Sequence, residues 1–269
     1  MSVLQPTDDF SVSSVGGIGV GDLVTERAPD PVDRSHSETD KPKQASMGAR
    51  ITEVRDGQQT DLGRDYHFEQ LPTQRGVVYF AGAGDGGALL YPSASPNVVS
   101  VGGTSLVRNL LTWRGNLGDF QGEAVWNWGI SAGTGAGPSA YEPRPRYQDS
   151  IKDIVGSSRG APDVAAVADP STGVWIYKGG WFLVGGTSVA TPIWAGIVNA
   201  AGRFNSSTAA ELTQIYSKPP SFAEASRGFN DIDSGTCGMG AAGVFDTYLA
   251  SSGWDFCSGV GSPRGYFSK

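Results

Sequence analysis

The sequence predicts an α/β fold with a mainly parallel central sheet, and three observations carry that expectation. Gly76-Val77-Val78-Tyr79-Phe80-Ala81 is a continuous apolar, β-rich run, the pattern of a strand buried on both faces. Ile193, Trp194, Ile197, Val198, Ala201 and Phe204 recur at three- and four-residue spacing, the apolar stripe of a helix. Finally, 39 glycines and 16 prolines in 269 residues demand many tight turns, which argues against a helical bundle. At 39% hydrophobic, the chain suffices for one substantial core.

Residues 1–62 read differently from the remainder and are left unassigned. The tract from Ala28 to Gln44 has almost no large apolar side chains and is broken by prolines, the composition of a solvated or disordered segment. The first ten residues contain neither a basic nor an apolar region of a secretory leader. No run approaches the roughly 18 apolar residues of a membrane span. A net charge of -7 argues against nucleic acid, whose phosphates it repels.

From residue 63 the elements follow in order. The strand ending at Ala81 delivers the chain into Gly82-Ala83-Gly84-Asp85-Gly86-Gly87. Gly82, Gly84 and Gly87 spell a dinucleotide fingerprint, but that fingerprint must open a helix, and Tyr91-Pro92-Ser93-Ala94-Ser95-Pro96 follows instead. Asn97 to Thr104 is a second short buried strand. Trp126 and Trp128 alternate across Asn127 as in a strand, with packing as their expected role. Ala161 to Pro170 reads as a connector. Gly173 to Tyr177 and Trp181 to Val184 read as a hairpin leading to Ser188. The periodic helix follows, with Pro192 placed in its first turn, where a missing N–H costs nothing. Thr208 and Glu211 have capping-box spacing for a second helix that ends before Pro219. Asn205-Ser206-Ser207 is a glycosylation sequon, meaningful only in a secreted protein. Cys237 and Cys257 lack metal-type spacing and can form one bridge in an oxidising compartment.

Ser188 lies at or just before a helix N-terminus, flanked by glycines that admit another backbone closely. That is a place for an exposed nucleophile, although a plain N-cap serine has the same local signature. The string Gly185-Gly186-Thr187-Ser188-Val189-Ala190-Thr191-Pro192, continuing to Ala195-Gly196, resembles the nucleophile segment of subtilisin-like peptidases and of their acid-acting relatives, the sedolisins. Tyr79 to Gly87, Tyr91 to Thr104, Phe229 to Gly235 and Gly253 to Pro263 line up in order with the sedolisin pattern. The likeness extends over residues 65–265, and the domain over 63–269.

The resemblance implies a subtilisin-like three-layer fold, incomplete at its N-terminus, and hydrolysis of peptide bonds. A histidine-dependent subtilisin-like enzyme needs a base, and the chain offers only His36 and His67, neither in the expected context. Sedolisins carry an aspartate where Asp85 stands. Only a protonated carboxyl group donates a hydrogen bond to a developing oxyanion, so Ser188 and Asp85 together imply activity confined to acid. The family's base is a glutamate held by an aspartate four residues on. Here the single candidate, Glu26 with Asp30, is interrupted by Pro29. A non-cleaving relic or binding protein is therefore the alternative. By the same resemblance, one structural calcium ion is expected on the carboxylates of Asp231 and Asp255 and the carbonyls of Ile232, Ser251 and Gly253. A peptide or protein partner, a secreted location and a monomer complete the expectation.

Overall fold

The computed structural model describes residues 44–47, 51–52, 77–108, 120–129, 131–203, 205–217, 228–238 and 247–265. The expectations concerning Glu26, Asp30, His36 and His67 lie outside the described residues.

The main sheet begins with β1 (Gln44–Met47), followed by the short β2 (Ile51–Thr52) and by β3 (Val78–Gly82). Two short strands, β4 (Gly86–Ala88) and β5 (Leu90–Tyr91), precede the long β6 (Val99–Arg108) and then β7 (Phe120–Val125). Next come β8 (Gly133–Pro143), helix α1 (Lys152–Val155), β9 (Ser158–Ala161) and β10 (Val164–Val167). The sheet order is β1-β3-β6-β10, all parallel, with β7 added antiparallel along the outer part of β6. The strand expected at 76–81 is thus found at Val78–Gly82, and it is central.

Val164–Val167, read from sequence as part of a connector, is the sheet's fourth parallel strand. Prolines at 162 and 170 bracket a run of only five small apolar residues, so nothing local marks it. Pairing with Val101–Thr104 of β6 creates it.

The hairpin forms as β11 (Val174–Tyr177) and β12 (Trp181–Val184), antiparallel, with Tyr177 opposite Trp181. The chain then enters α2 (Thr187–Ala201), followed by α3 (Thr208–Tyr216). Val78 and Phe80 of β3, Val99 and Val101 of β6, and Val164 of β10 face Ala190, Trp194 and Val198 of α2 and Leu212 and Ile215 of α3 in one core. Each such side chain, fully buried, contributes about 1.5–3 kcal/mol. Tyr79 and Ala81 point to the other face of the sheet, against Tyr91 and Val98. Alternation along β3 therefore fixes which face receives the helices.

Two local expectations shift. Pro192 lies inside α2 rather than in its first turn, and its missing N–H releases the Ser188 carbonyl from the helical ladder. In α3 the cap is Ser207, whose hydroxyl accepts from the Ala210 amide at 3.0 Å. Thr208, expected to cap, instead accepts from the Tyr79 amide of β3 at 3.0 Å. Trp126 is core, whereas Trp128 is 47% exposed and meets it edge to face.

The remaining strands are short: β13 (Phe229–Asn230), β14 (Thr236–Cys237), β15 (Tyr248–Leu249) and β16 (Ser262–Pro263). Cys237 and Cys257 are disulfide-bonded, with Cα atoms 5.5 Å apart.

Candidate active site

Asp85 leaves the end of β3 on a loop held from three sides. The Ala83 amide donates to the Val101 carbonyl at 2.8 Å, which fixes the loop on β6. From β8, the Gly133 amide donates to the Asp85 carbonyl at 3.0 Å and the Gly135 amide to the Gly84 carbonyl at 2.7 Å. A Cβ on Gly135 would lie 2.1 Å from the Ala83 carbonyl oxygen, so only glycine permits this approach. The glycine fingerprint itself leads into β4 rather than a helix.

The third restraint comes from the head of α2. The amide and the hydroxyl of Thr187 both donate to Oδ1 of Asp85, at 2.7 and 2.8 Å. The Gly84 amide in turn donates to Thr187 Oγ1 at 3.2 Å. Thr187 is buried, while Ser188 beside it is exposed.

Gly186 precedes them at φ 98°, ψ 158°, a backbone state closed to residues with a side chain. A Cβ built there would stand 3.0 Å from Asp85 Oδ2 and 3.1 Å from Ser188 Oγ. Asp85 Oδ2 and Ser188 Oγ therefore both lie beside Gly186, on the side where a side chain would project. Helix geometry adds a further feature, because the Ser188 amide in the first turn of α2 has no intrahelical acceptor.

Relatives are found by sequence and by structure, although no family model matches the chain. Kumamolisin of Bacillus sp. (strain MN-32) is 35% identical over 210 residues, covering 71% of this chain and 35% of kumamolisin. Sedolisin of Pseudomonas sp. (strain 101) is 35% identical over 182 residues, covering 64% and 28% respectively. The solved structure of Pseudomonas sedolisin, a serine-carboxyl proteinase complexed with two molecules of pseudo-iodotyrostatin, matches with a TM-score of 0.64 at 28% identity. That match covers 82% of this chain and 62% of that one. The chain belongs to the sedolisin family. Its α/β architecture is the subtilisin-like fold of that family. This sedolisin-family chain spans about a third, or less, of the length of the curated relatives it matches.

The five residues expected around a metal also come together, in a loop cluster stapled by the disulfide. Asp231 Oδ2 accepts from the Ser252 hydroxyl at 2.8 Å and the Gly253 amide at 3.0 Å. Asp255 Oδ2 accepts from the Ser251 amide at 3.0 Å, and Oδ1 accepts from the amides of Cys257 and Ser258 at 2.7 and 2.9 Å. Both carboxylates therefore grip the loop 251–253. Asp255 is 3% exposed, and burial pushes its carboxyl up to about 6 although backbone donors oppose the rise. Its bonds within the described residues all come from neutral donors, so its negative charge is buried without a cation. Carboxylate and carbonyl oxygens are the kind of donor that calcium takes. Among the described residues no group of three or more His, Cys, Asp or Glu could hold a metal ion.

Thr187 was not singled out by the sequence, because its neighbour Ser188 absorbed the motif's significance. Its signal was present: two hydroxyl residues in a row behind two glycines, of which only one can face outward at a helix start.

Proposed function

We propose that this protein is an acid-acting serine peptidase of the sedolisin type, with Ser188 as nucleophile and protonated Asp85 as oxyanion donor. The observation that carries the reading is that Asp85 Oδ2 and Ser188 Oγ both stand beside Gly186, on the side where its Cβ would project. A scissile carbonyl set over these two side chains would meet the Ser188 hydroxyl at its carbon. Its oxygen, as it gains charge, is met by the Asp85 O–H and the first-turn amide of Ser188. Donors aimed at the developing charge are worth about 2.7–4 kcal/mol each in comparable sites. If Asp85 ionises, a donor becomes a repelling anion, so activity falls as pH rises through its titration.

The Ser188 proton requires a base. Among the described residues no carboxylate is hydrogen-bonded to Ser188, and the family's glutamate–aspartate pair would have to come from elsewhere, Glu26 and Asp30 being the candidates. That fact favours a second reading, a sedolisin-like scaffold that receives peptides without cleaving them. Asp231 and Asp255, with the carbonyls of Ile232, Ser251 and Gly253, would hold calcium, which when bound neutralises buried charge and fixes the C-terminal loops. Peptide or protein substrates and a secreted location follow from the same family reading.

The test is incubation of the chain at acid and neutral pH with an unstructured protein substrate and with a peptide aldehyde, beside Ser188→Ala and Asp85→Ala. Cleavage at acid pH that both substitutions reduce at least a hundredfold supports the peptidase. Aldehyde capture without cleavage supports the scaffold, and cleavage that is fastest at neutral pH refutes the role of Asp85.

A further inference from the structure

We propose that Thr187 is a positioning residue that assigns the carboxyl proton of Asp85 to Oδ2, the oxygen beside Ser188. The inference deepens the peptidase reading and takes its functional meaning from it. The hydroxyl of Thr187 has one hydrogen to give. Because the Gly84 amide already donates to Oγ1 at 3.2 Å, that hydrogen goes the other way, to Asp85 Oδ1 at 2.8 Å. The Thr187 amide donates to the same oxygen at 2.7 Å. Oδ1 thus accepts two hydrogen bonds. A proton placed on it would set three hydrogens against one another, so a neutral Asp85 carries its proton on Oδ2.

The hydroxyl is held in that orientation by its surroundings. Thr187 is 2% exposed, and a Cβ on Gly82 would sit 2.8 Å from Oγ1, so β3 presses directly on the group. On the helix side, the Thr191 hydroxyl donates to the Thr187 carbonyl at 2.7 Å. Among the described residues, the groups set against the Asp85 carboxyl include the amide and hydroxyl of Thr187, the Ser188 hydroxyl and Gly186. Thr187 acts through Asp85 and does not itself reach a substrate.

The measurement is a pH titration of the Asp85 side-chain carboxyl carbon by NMR in the full chain, in Thr187→Val and in Thr187→Ser. A hydroxyl donor favours the ionised carboxylate over the neutral acid, so its removal in Thr187→Val moves the Asp85 midpoint upward by about one pH unit. Thr187→Ser keeps the donor and titrates like the unaltered chain. A folded Thr187→Val with the unaltered midpoint overturns the assignment. Should Thr187→Val not fold, the unaltered chain still decides, because the Thr187 amide proton must shift in step with Asp85. An amide that stays fixed through the titration also overturns it. None of these signals needs turnover, so failure of the peptidase reading, seen as no Ser188-dependent cleavage, is recorded separately.

Discussion

Asn in place of Asp163 perturbs the most enclosed charge in the described fold. The side chains of Arg159 and Asp163 are both at zero exposure, with Arg159 Nη2 at 2.6 Å from Asp163 Oδ2 and Nη1 at 2.9 Å from Oδ1. The Tyr216 hydroxyl donates to Oδ1 at 2.7 Å and the Ser100 amide to Oδ2 at 2.8 Å. One carboxylate therefore ties β6, β9 and α3 to the start of β10. Burial works against the guanidinium charge, but Asp163 together with Tyr147 and Tyr216 outweighs burial and raises the Arg159 pKa. Tyr216 is raised well above the ordinary tyrosine value, first by burial and then by the same carboxylate.

Asp163→Asn removes the countercharge, retains a single acceptor oxygen and points an NH2 group at donors. Stranding a buried charge costs about 3–5 kcal/mol. At about 2–4 °C per kcal/mol for domains near this size, the thermal midpoint drops by roughly 6–20 °C. Urea unfolding and a thermal melt of both proteins at one pH measure it directly. Replacing the pair together, as Arg159→Met with Asp163→Leu, removes both charges and is expected to cost less than Asp163→Asn alone. A loss below about 1 kcal/mol for Asp163→Asn would refute the reasoning, since it would mean that Arg159 finds compensation without its partner.

Other perturbations have equally definite outcomes. Gly186→Ala forces a side chain into a positive-φ position and against the side chains of Asp85 and Ser188. The expected cost is about 1–3 kcal/mol of stability together with loss of peptide-aldehyde capture, and undiminished capture would contradict the placement of these two side chains. Reducing Cys237–Cys257, which closes a separation of 20 residues, is expected to cost about 3 kcal/mol in a chemical melt with and without reductant. Ser207→Ala should cost about 1 kcal/mol by removing the cap of α3, measurable by the same melt.

Asp169 gives a pH test. Burial pushes its carboxyl up, but donors from Ser105, Ser171 and Trp128 outweigh that, so it sits below the ordinary 3.8. A lowered folded-state value contributes stability above pH 3.8, and that stability is lost as pH falls through the folded value. The stability gap between the unaltered chain and Asp169→Asn should thus be present at pH 5–6 and close in stronger acid. A gap that widens on acidification reverses the sign and rejects the account.

Much of the fold is legible along the chain because periodicity is a property of neighbours. The run through Phe80, the stripe Trp194-Val198 and the hairpin around Trp181 each declare an element without knowledge of what covers it. Residue chemistry is equally legible: an aspartate after a buried strand and a serine behind two glycines restrict what reaction is conceivable. Tertiary structure decided matters of orientation and partnership. Ser207 and Thr208 are nearly equivalent in sequence, and only the approach of β3 makes one a cap and the other a partner of Tyr79. Thr187 and Ser188 are both hydroxyls at a helix head, and only the glycine-floored contact with the Asp85 loop turns one inward and leaves the other exposed. Val164–Val167 becomes a strand through pairing with β6, and Arg159 becomes tolerable in a core because Asp163 arrives from the next strand's start. A one-dimensional pattern records which groups exist and how each local segment repeats. Which oxygen faces which hydroxyl depends on where distant backbone segments cross, and that is settled only when the core has packed.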